Sequence, residues 1–155
     1  MRVGVRLGID VGKVRIGVSR SDLHGMLATP VETVARSEDA SDRLRIGQIA
    51  TELDVFEIIV GLPLALSGAK TASTDDAIGF AEALEAELGV PVRLVDERLS
   101  TVSAHSALRA SGKNSKKARP VVDQVAATII LQHALDAERA TGLPPGASLE
   151  PNIGS

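Results

Sequence analysis

The sequence contains no cysteine, and its three histidines, His24, His105 and His133, are widely spaced. Disulfide bonds and thiolate metal sites are therefore excluded, and no pair of histidines has the spacing of a zinc site. Any metal ion bound by this chain would need oxygen ligands, which favours a hard ion such as Mg²⁺ or Mn²⁺.

Aromatic residues are almost absent, because the chain has two Phe and neither Trp nor Tyr. This composition argues against a binding mode in which nucleic-acid bases stack on a platform of aromatic side chains. If the chain binds nucleic acid, it must hold the nucleic acid mainly through its phosphates.

Long apolar runs are also missing. No segment is long enough to span a membrane, and the first residues lack a secretory apolar core. We therefore expect no membrane association and a cytoplasmic location. With 155 residues, of which 44% are apolar and 24% charged, the chain is expected to form one globular domain.

An excess of positive charge is lacking as well, because the net charge is −3. The charge is unevenly distributed, with mostly acidic residues at 39–87 and positive charge concentrated at Lys113, Lys116, Lys117 and Arg119. We expect a local basic edge on an acidic body.

The first half of the chain shows the alternation of strands. Residues 3–20 alternate apolar and polar on both sides of Gly12 and predict a hairpin, and residues 28–34 predict a third strand. A helix is expected over residues 41–53. The nearly unbroken apolar run at 55–62 is typical of a strand buried on both faces.

The second half alternates helices with strands. The expected elements are a loop at 63–72, a helix at 74–88, a strand at 90–95, a helix at 101–110, a loop at 111–119 and a helix at 120–140. The order β-β-β-α-β-α-β-α-α predicts an α/β domain with parallel strands in its later part. We interpret residues 1–140 as one domain and residues 141–155, rich in Gly and Pro, as a disordered tail.

Asp10 ends the first strand, on the face that carries Arg6 and Gly8. The end of a strand opens onto the edge of a sheet, where a side chain can reach a ligand. The alternative is a turn-forming aspartate, since Asp-Val-Gly suits a hairpin.

Asp123 begins an otherwise apolar helix face that continues through Ala126, Ala127 and Ile130. A carboxylate in that position must point toward the sheet, and we expect Gly4 and Gly8 to allow a close approach that brings it toward Asp10. The alternative is an ordinary acidic residue in the first turn of a helix.

Asp96 and Glu97 follow the strand at 90–95, and strand alternation sends them to opposite faces. One of them is therefore a candidate ligand, and the alternative is a strand end closed by an ion pair with Arg98. Converging carboxylates repel one another unless a cation joins them, and magnesium is the natural choice here. The basic loop before Asp123 is then a candidate phosphate contact, or simply a solvated loop.

Four blocks of sequence follow one another between residues 4 and 136. They are GIDVG (8–12) with RIG (15–17) and SD (21–22), VGLPL (60–64) with SG (67–68), DERLST (96–101), and residues 117–127 with ILQ (130–132). The ordered set resembles the YqgF/RuvX family of Holliday junction resolvases and pre-ribosomal RNA nucleases. The resemblance implies a ribonuclease H-like fold, with a mixed five-stranded sheet flanked by helices.

The resemblance also implies that Asp10, Glu97 and Asp123 form an acidic centre that binds Mg²⁺ or Mn²⁺ and hydrolyses phosphodiester bonds with a metal pair. Relatives in the wider superfamily often place an acid at the end of the fourth strand, whereas residues 61–64 contain none. The second carboxylate must then come from Asp96 or Glu97, and Glu97 matches the family's ligand. The candidate phosphate contacts are Arg15, Arg98, Lys113, Lys116, Lys117 and Arg119.

The substrate implied by the resemblance is either the 5′ end of a 16S ribosomal RNA precursor or branched DNA. Junction resolution needs two symmetric cuts and hence a homodimer, whereas RNA processing is compatible with a monomer. Two other classes compete. An ATPase or sugar kinase would need two such lobes, and a non-catalytic binding module would leave the buried carboxylates without a function.

Overall fold

The computed structural model describes residues 1–99 and 119–149, and within the last helix it describes side chains from residue 122 onward. The helix expected at 101–110 and residues 111–118 of the loop expected at 111–119 lie outside the described residues. The predicted hairpin is present as β1 (Val5–Val11) and β2 (Arg15–Ser21), followed by β3 (Ala28–Ala35) and helix α1 (Ser41–Glu52).

The remaining elements follow the predicted order. They are β4 (Val55–Leu62), α2 (Ala72–Leu88), β5 (Val92–Asp96), a 3₁₀ turn (Glu97–Leu99), α3 (Arg119–Thr141) and β6 (Ala147–Ser148). The strands form one sheet in the order β3-β2-β1-β4-β5-β6. The pairs β1–β4 and β4–β5 are parallel and the others are antiparallel, as predicted for a mixed sheet.

Within the described residues, the sheet has six strands instead of the expected five. The additional strand, β6, lies in the segment predicted to be a disordered tail and pairs with Arg93 and Leu94 of β5. The Arg93 guanidinium also donates to the carbonyl oxygens of Pro145, at 2.5 Å, and Gly146, at 3.3 Å. Residues 145–148 of the segment predicted to be a disordered tail are therefore held by the edge of β5 and by the Arg93 side chain.

Helices cover the sheet on both sides, and strand alternation assigns the core residues to each side. Ile58 and Val60 of β4 belong to a cluster with residues of α1 and α2, whereas Ile59 packs with α3. This burial on both faces explains the apolar run at 55–62. In the described part of the chain, no helix combines the length and apolar character needed to cross a bilayer.

A network of ion pairs ties the end of α3 to the beginning of the sheet. The Arg2 guanidinium contacts both Glu57 and Glu138 at 2.8 Å, and Arg6, which is 1% exposed, contacts Glu138 at 3.2 Å. Both arginines also lie over the ring of Phe56. Hydrogen bonds from Arg2 lower the pKa of Glu138 from its ordinary value of 4.5 to about 2.

We predict that Glu138→Gln lowers the free energy of unfolding by about 3–5 kcal/mol at neutral pH, because it leaves buried Arg6 without its charged partner. Because the pKa of Glu138 is lowered by folding, its stabilisation is complete above about pH 4.5 and is lost as the pH falls toward 2. Denaturant unfolding at several pH values measures both effects.

Glu82→Gln, on the exposed side of α2, is the matched control and should change stability by less than about 0.5 kcal/mol. Equal stability of Glu138→Gln and the unsubstituted chain at pH 7 would contradict the prediction.

Candidate active site

Asp10 lies in a row of three residues that crosses neighbouring strands at one end of the sheet. It pairs directly with Gly17 of β2, and because Ile9 pairs with Val60, Gly61 is the neighbouring position on β4. Leu7 and Ile9 face α1 and α2, so Asp10 faces α3, together with Arg6 and Gly8 as predicted. Its carboxylate therefore projects between two positions without side chains, and Asp10 is only 7% exposed.

Asp123 lies over the first glycine of this row. A Cβ atom built on Gly17 would overlap the carbonyl oxygen of Asp123, so the absence of a side chain there lets α3 lie directly on β2. Asp123 is 3% exposed and belongs to the second turn of α3. The close approach predicted for this helix is present.

The glycines responsible are only partly those expected. Gly8 contributes, because a Cβ atom there would lie 2.7 Å from Leu131 Cβ and 3.0 Å from the Ala127 carbonyl oxygen. Gly4 does not, because its missing side chain makes room for the ring of Phe56. Gly17, instead of Gly4, allows the close approach of α3 to the sheet. The residue after Gly17 faces α1 and α2, and because side chains alternate along a strand, Gly17 itself faces α3.

Glu97 lies over the other glycine of the row. A Cβ atom on Gly61 would lie 3.1 Å from Glu97 Cγ and 3.3 Å from Glu97 Cδ. The end of the fourth strand has no acidic residue of its own. Glu97, from the turn after β5, occupies the space there. Because neighbouring strands are about 4.8 Å apart, Glu97 and Asp123 flank Asp10 on either side.

Asp96 has a different environment from Glu97. The guanidinium of Arg98 contacts both Asp96 oxygens, with Nη2 at 2.7 Å from Oδ2, and lowers the pKa of this carboxyl below its usual range. The strand end closed by an ion pair, which the sequence left as an alternative for both residues, is therefore present for Asp96. Of the two, Glu97 is the one that reaches the row of Asp10.

Arg15 forms an ion pair with Asp123. Its Nε donates to Asp123 Oδ2 at 2.9 Å, and the Asp123 side chain is 5% exposed. Across residues 1–99 and 119–149, no group of three His, Asp or Glu side chains is close enough to hold a metal ion. The all-oxygen donor set on one face suits a hard divalent ion in its chemistry, but Arg15 must release Asp123 before all three carboxylates can bind one ion.

The predicted phosphate contacts are only partly within the described structure. Arg15 is paired with Asp123, and Arg98 with Asp96. Lys113, Lys116 and Lys117 lie outside the described residues, and α3 begins at Arg119, whose side chain is not described.

Sequence reasoning missed the anchor of the turn that follows Asp10. Arg36 donates to the carbonyl oxygen of Gly12 at 2.8 Å and forms a bidentate pair with Asp76 of α2 at 2.8 and 3.0 Å. Gly12 is required in this turn, because a Cβ atom there would lie 2.5 Å from the Arg15 carbonyl oxygen. No local pattern signals a pair separated by 40 residues.

Comparison with protein families gives a match over residues 4–137 to a family described as RuvX, Holliday junction resolvase. The chain is 78% identical over 154 residues to a protein of Leifsonia xyli named "Putative pre-16S rRNA nuclease", covering 99% of both chains. A protein of Clavibacter michiganensis with the same name is 65% identical over 153 residues, which cover 98% of this chain and 95% of the relative.

Among solved structures, RuvC of Thermus thermophilus in complex with a Holliday junction substrate matches with a TM-score of 0.57 and 20% identity. The match covers 94% of this chain and 99% of RuvC. This likeness concerns the fold, and it confirms the ribonuclease H-like fold expected from the sequence.

We predict that Gly17→Ala lowers the free energy of unfolding by at least about 2 kcal/mol, because the new methyl group would push α3 and Asp123 away from β2. Gly79→Ala is the matched control. Nothing lies within 4 Å of a Cβ atom at Gly79, in helix α2, so alanine should stabilise by about 0.5–1 kcal/mol. Thermal unfolding of both variants makes the comparison, and a Gly17→Ala variant as stable as the unsubstituted chain would mean that the contact is looser than described.

Proposed function

Because the chain belongs to the RuvX Holliday junction resolvase family, a family of nucleases, we propose that it hydrolyses phosphodiester bonds with Asp10, Glu97 and Asp123. One observation supports this assignment above the others. Asp10 lies between two glycines in a row across the sheet, and Asp123 and Glu97 each lie over one of them. The three carboxylates come from three separate segments of the chain, and the two glycines come from two further strands.

The same three carboxylates would hold Mg²⁺ or Mn²⁺. When bound, such ions in a pair activate a water molecule and stabilise the leaving oxygen of a phosphodiester. The chain contributes buried oxygen donors in a setting that excludes most water, since Asp10 and Asp123 are 7% and 3% exposed.

Arg15 would have two successive partners. In the structure its guanidinium neutralises Asp123, and the Arg15 side chain is 29% exposed. Released from Asp123, Arg15 would contact a phosphate next to the bond that is cut. Arg98, Lys113, Lys116, Lys117 and Arg119 would add further phosphate contacts, which position the backbone without reading sequence.

The substrate that we favour is the 5′ region of a 16S ribosomal RNA precursor, in the cytoplasm. The names of relatives that are 65–78% identical over nearly the whole chain support this choice. A second candidate is a four-way DNA junction, which the description of the matching family supports. That reaction would require a homodimer, whereas a monomer suffices for trimming an RNA end.

We predict that Asp10→Asn and Asp123→Asn each lower the rate of cleavage at least about a hundredfold, because each removes a charge that must hold the ion. Isothermal calorimetry should show weaker Mg²⁺ or Mn²⁺ binding in both variants. Asp75→Asn, exposed in the first turn of α2, is the control and should leave both measurements unchanged. Full activity in Asp123→Asn would remove this residue from the reaction.

The two substrates are distinguished in one assay. The chain is incubated with a 16S precursor RNA and with a four-way DNA junction, with Mg²⁺ or Mn²⁺, beside Asp123→Asn as a blank. We expect cleavage in the 5′ leader of the RNA. Paired symmetric cuts in the junction, with intact RNA, would reverse the choice of substrate, and no cleavage of either would leave a non-catalytic binding module as the better hypothesis.

A further inference from the structure

The loop between β4 and α2 displays an apolar side chain to solvent. Leu66 is 92% exposed, which is the largest value among the large hydrophobic residues in the described parts of the chain. The loop leaves the sheet directly after Leu62, one residue beyond Gly61, over which Glu97 lies. Leu66 therefore projects from the same edge of the sheet as the carboxylates.

The backbone around Leu66 is held in a defined turn. Gly68 N–H donates to the Ala65 carbonyl oxygen at 2.7 Å, and Ala65 N–H donates to that of Ala69 at 3.0 Å. Gly68 has a φ of 90°, a left-handed conformation that suits glycine. The side chain is thus presented on a closed turn, at the tip of the loop.

Arg98 connects this turn to the proposed site. Its Nη1 donates to the Leu66 carbonyl oxygen at 3.2 Å, while Nη2 and Nε contact Asp96. A single guanidinium therefore links the loop to the end of β5, directly beside Glu97. This link joins the backbone of Leu66 to the segment that carries Glu97.

An apolar side chain beside the proposed nuclease site suits the face of an unstacked base, which is the apolar surface that a nucleic acid offers there. Proteins that bend or open nucleic acid insert leucine and similar wedges between base steps. The two aromatic side chains of this protein do not serve, because Phe56 lies under Arg2 and Arg6 and Phe80 is 5% exposed. The protein's apolar contact with a base must therefore come from an aliphatic residue.

We propose that Leu66 is a wedge that occupies an interruption in the base stack beside the bond that is cut. The substrate class that follows is nucleic acid whose stacking is already broken, at the end of an RNA duplex or at a branch point of DNA. This inference rests on the proposed nuclease function and adds the structural feature that the enzyme recognises. A continuous duplex would have to be opened first, at a cost of a few kcal/mol for each step.

Leu44 provides a matched comparison. It is 65% exposed, but it belongs to α1, on the face of the sheet opposite α3. Isolated exposed leucines are common on protein surfaces and usually have no role. If Leu66 is such a residue, Leu66→Ala and Leu44→Ala should behave alike.

The experiment uses 2-aminopurine, whose fluorescence rises when it leaves the base stack. The probe is placed at the single-strand junction of an RNA duplex with a 5′ overhang and at the centre of a four-way DNA junction, with continuous duplexes of each as references. Asp123→Asn serves as the parent protein so that no substrate is cut. Fluorescence and affinity are then measured for the parent, Leu66→Ala, Leu66→Met and Leu44→Ala.

We expect the parent to raise the fluorescence of an interrupted substrate and Leu66→Ala to lose most of the rise. Leu66→Ala should bind that substrate about tenfold more weakly, without a change toward continuous duplex. Leu66→Met, which keeps an apolar side chain of similar length, should restore the signal, and Leu44→Ala should match the parent. A rise on the RNA alone identifies a duplex end as the target, and a rise on the DNA alone identifies a branch point.

Equal fluorescence and affinity for Leu66→Ala and the parent would overturn the wedge while leaving the nuclease proposal intact, provided that the enzyme with Asp123 cuts either substrate. If the parent binds none of the four nucleic acids and the enzyme with Asp123 cuts none, the proposed function itself fails. Because Leu66 is almost fully exposed, the substitutions should not alter thermal unfolding, which is measured in parallel.

Discussion

The contact of α3 with β1 and β2 is the constraint on which the rest of the structure depends. A helix normally keeps its distance from a sheet because side chains separate them, but Gly8 and Gly17 remove this separation. Ser19 reinforces the contact, since its hydroxyl donates to the Ala127 carbonyl oxygen at 2.8 Å. With the helix backbone lying on the strand, Asp123 reaches the level of Asp10. In the structure Arg15 compensates the charge of the buried Asp123 carboxylate, and in the proposed enzyme a metal ion would compensate both carboxylates.

On the other side of Asp10, a glycine again makes room for an acidic side chain from a neighbouring segment. At the end of β4 the chain has Gly61 and no acid, and Glu97 of the neighbouring segment occupies the space above it. This glutamate comes from the 3₁₀ turn after β5, while the adjacent Asp96 is held by Arg98, which also contacts the loop after β4. Asp96 and Glu97 are both acidic, and they differ because their neighbours differ: Asp96 is paired with Arg98, whereas Glu97 lies over Gly61.

Sequence reasoning succeeded where a local pattern reports on burial. The alternation around Gly12, the apolar run at 55–62 and the apolar face beginning at Asp123 predicted the hairpin, the central strand and the last helix. It failed where two distant segments meet. The strand at Ala147–Ser148 exists through its pairing with β5, Gly4 makes room for Phe56 instead of α3, and the Arg15–Asp123 pair joins residues 108 positions apart. Such contacts between distant segments leave no periodicity in the sequence. The three acidic residues were therefore identified from the family resemblance, and their surroundings became visible in the structure.

The two ends of α3 are fixed by different means, by glycine contacts at Asp123 and by the arginine network at Glu138. The two residues are fifteen positions apart, which corresponds to about 22 Å along a helix. The helix therefore contacts the sheet near both of its ends. A small rotation of the helix at Glu138 would displace it at Asp123. Substitution of Arg2 or Arg6 near the amino terminus would therefore also change the position of Asp123 relative to Asp10.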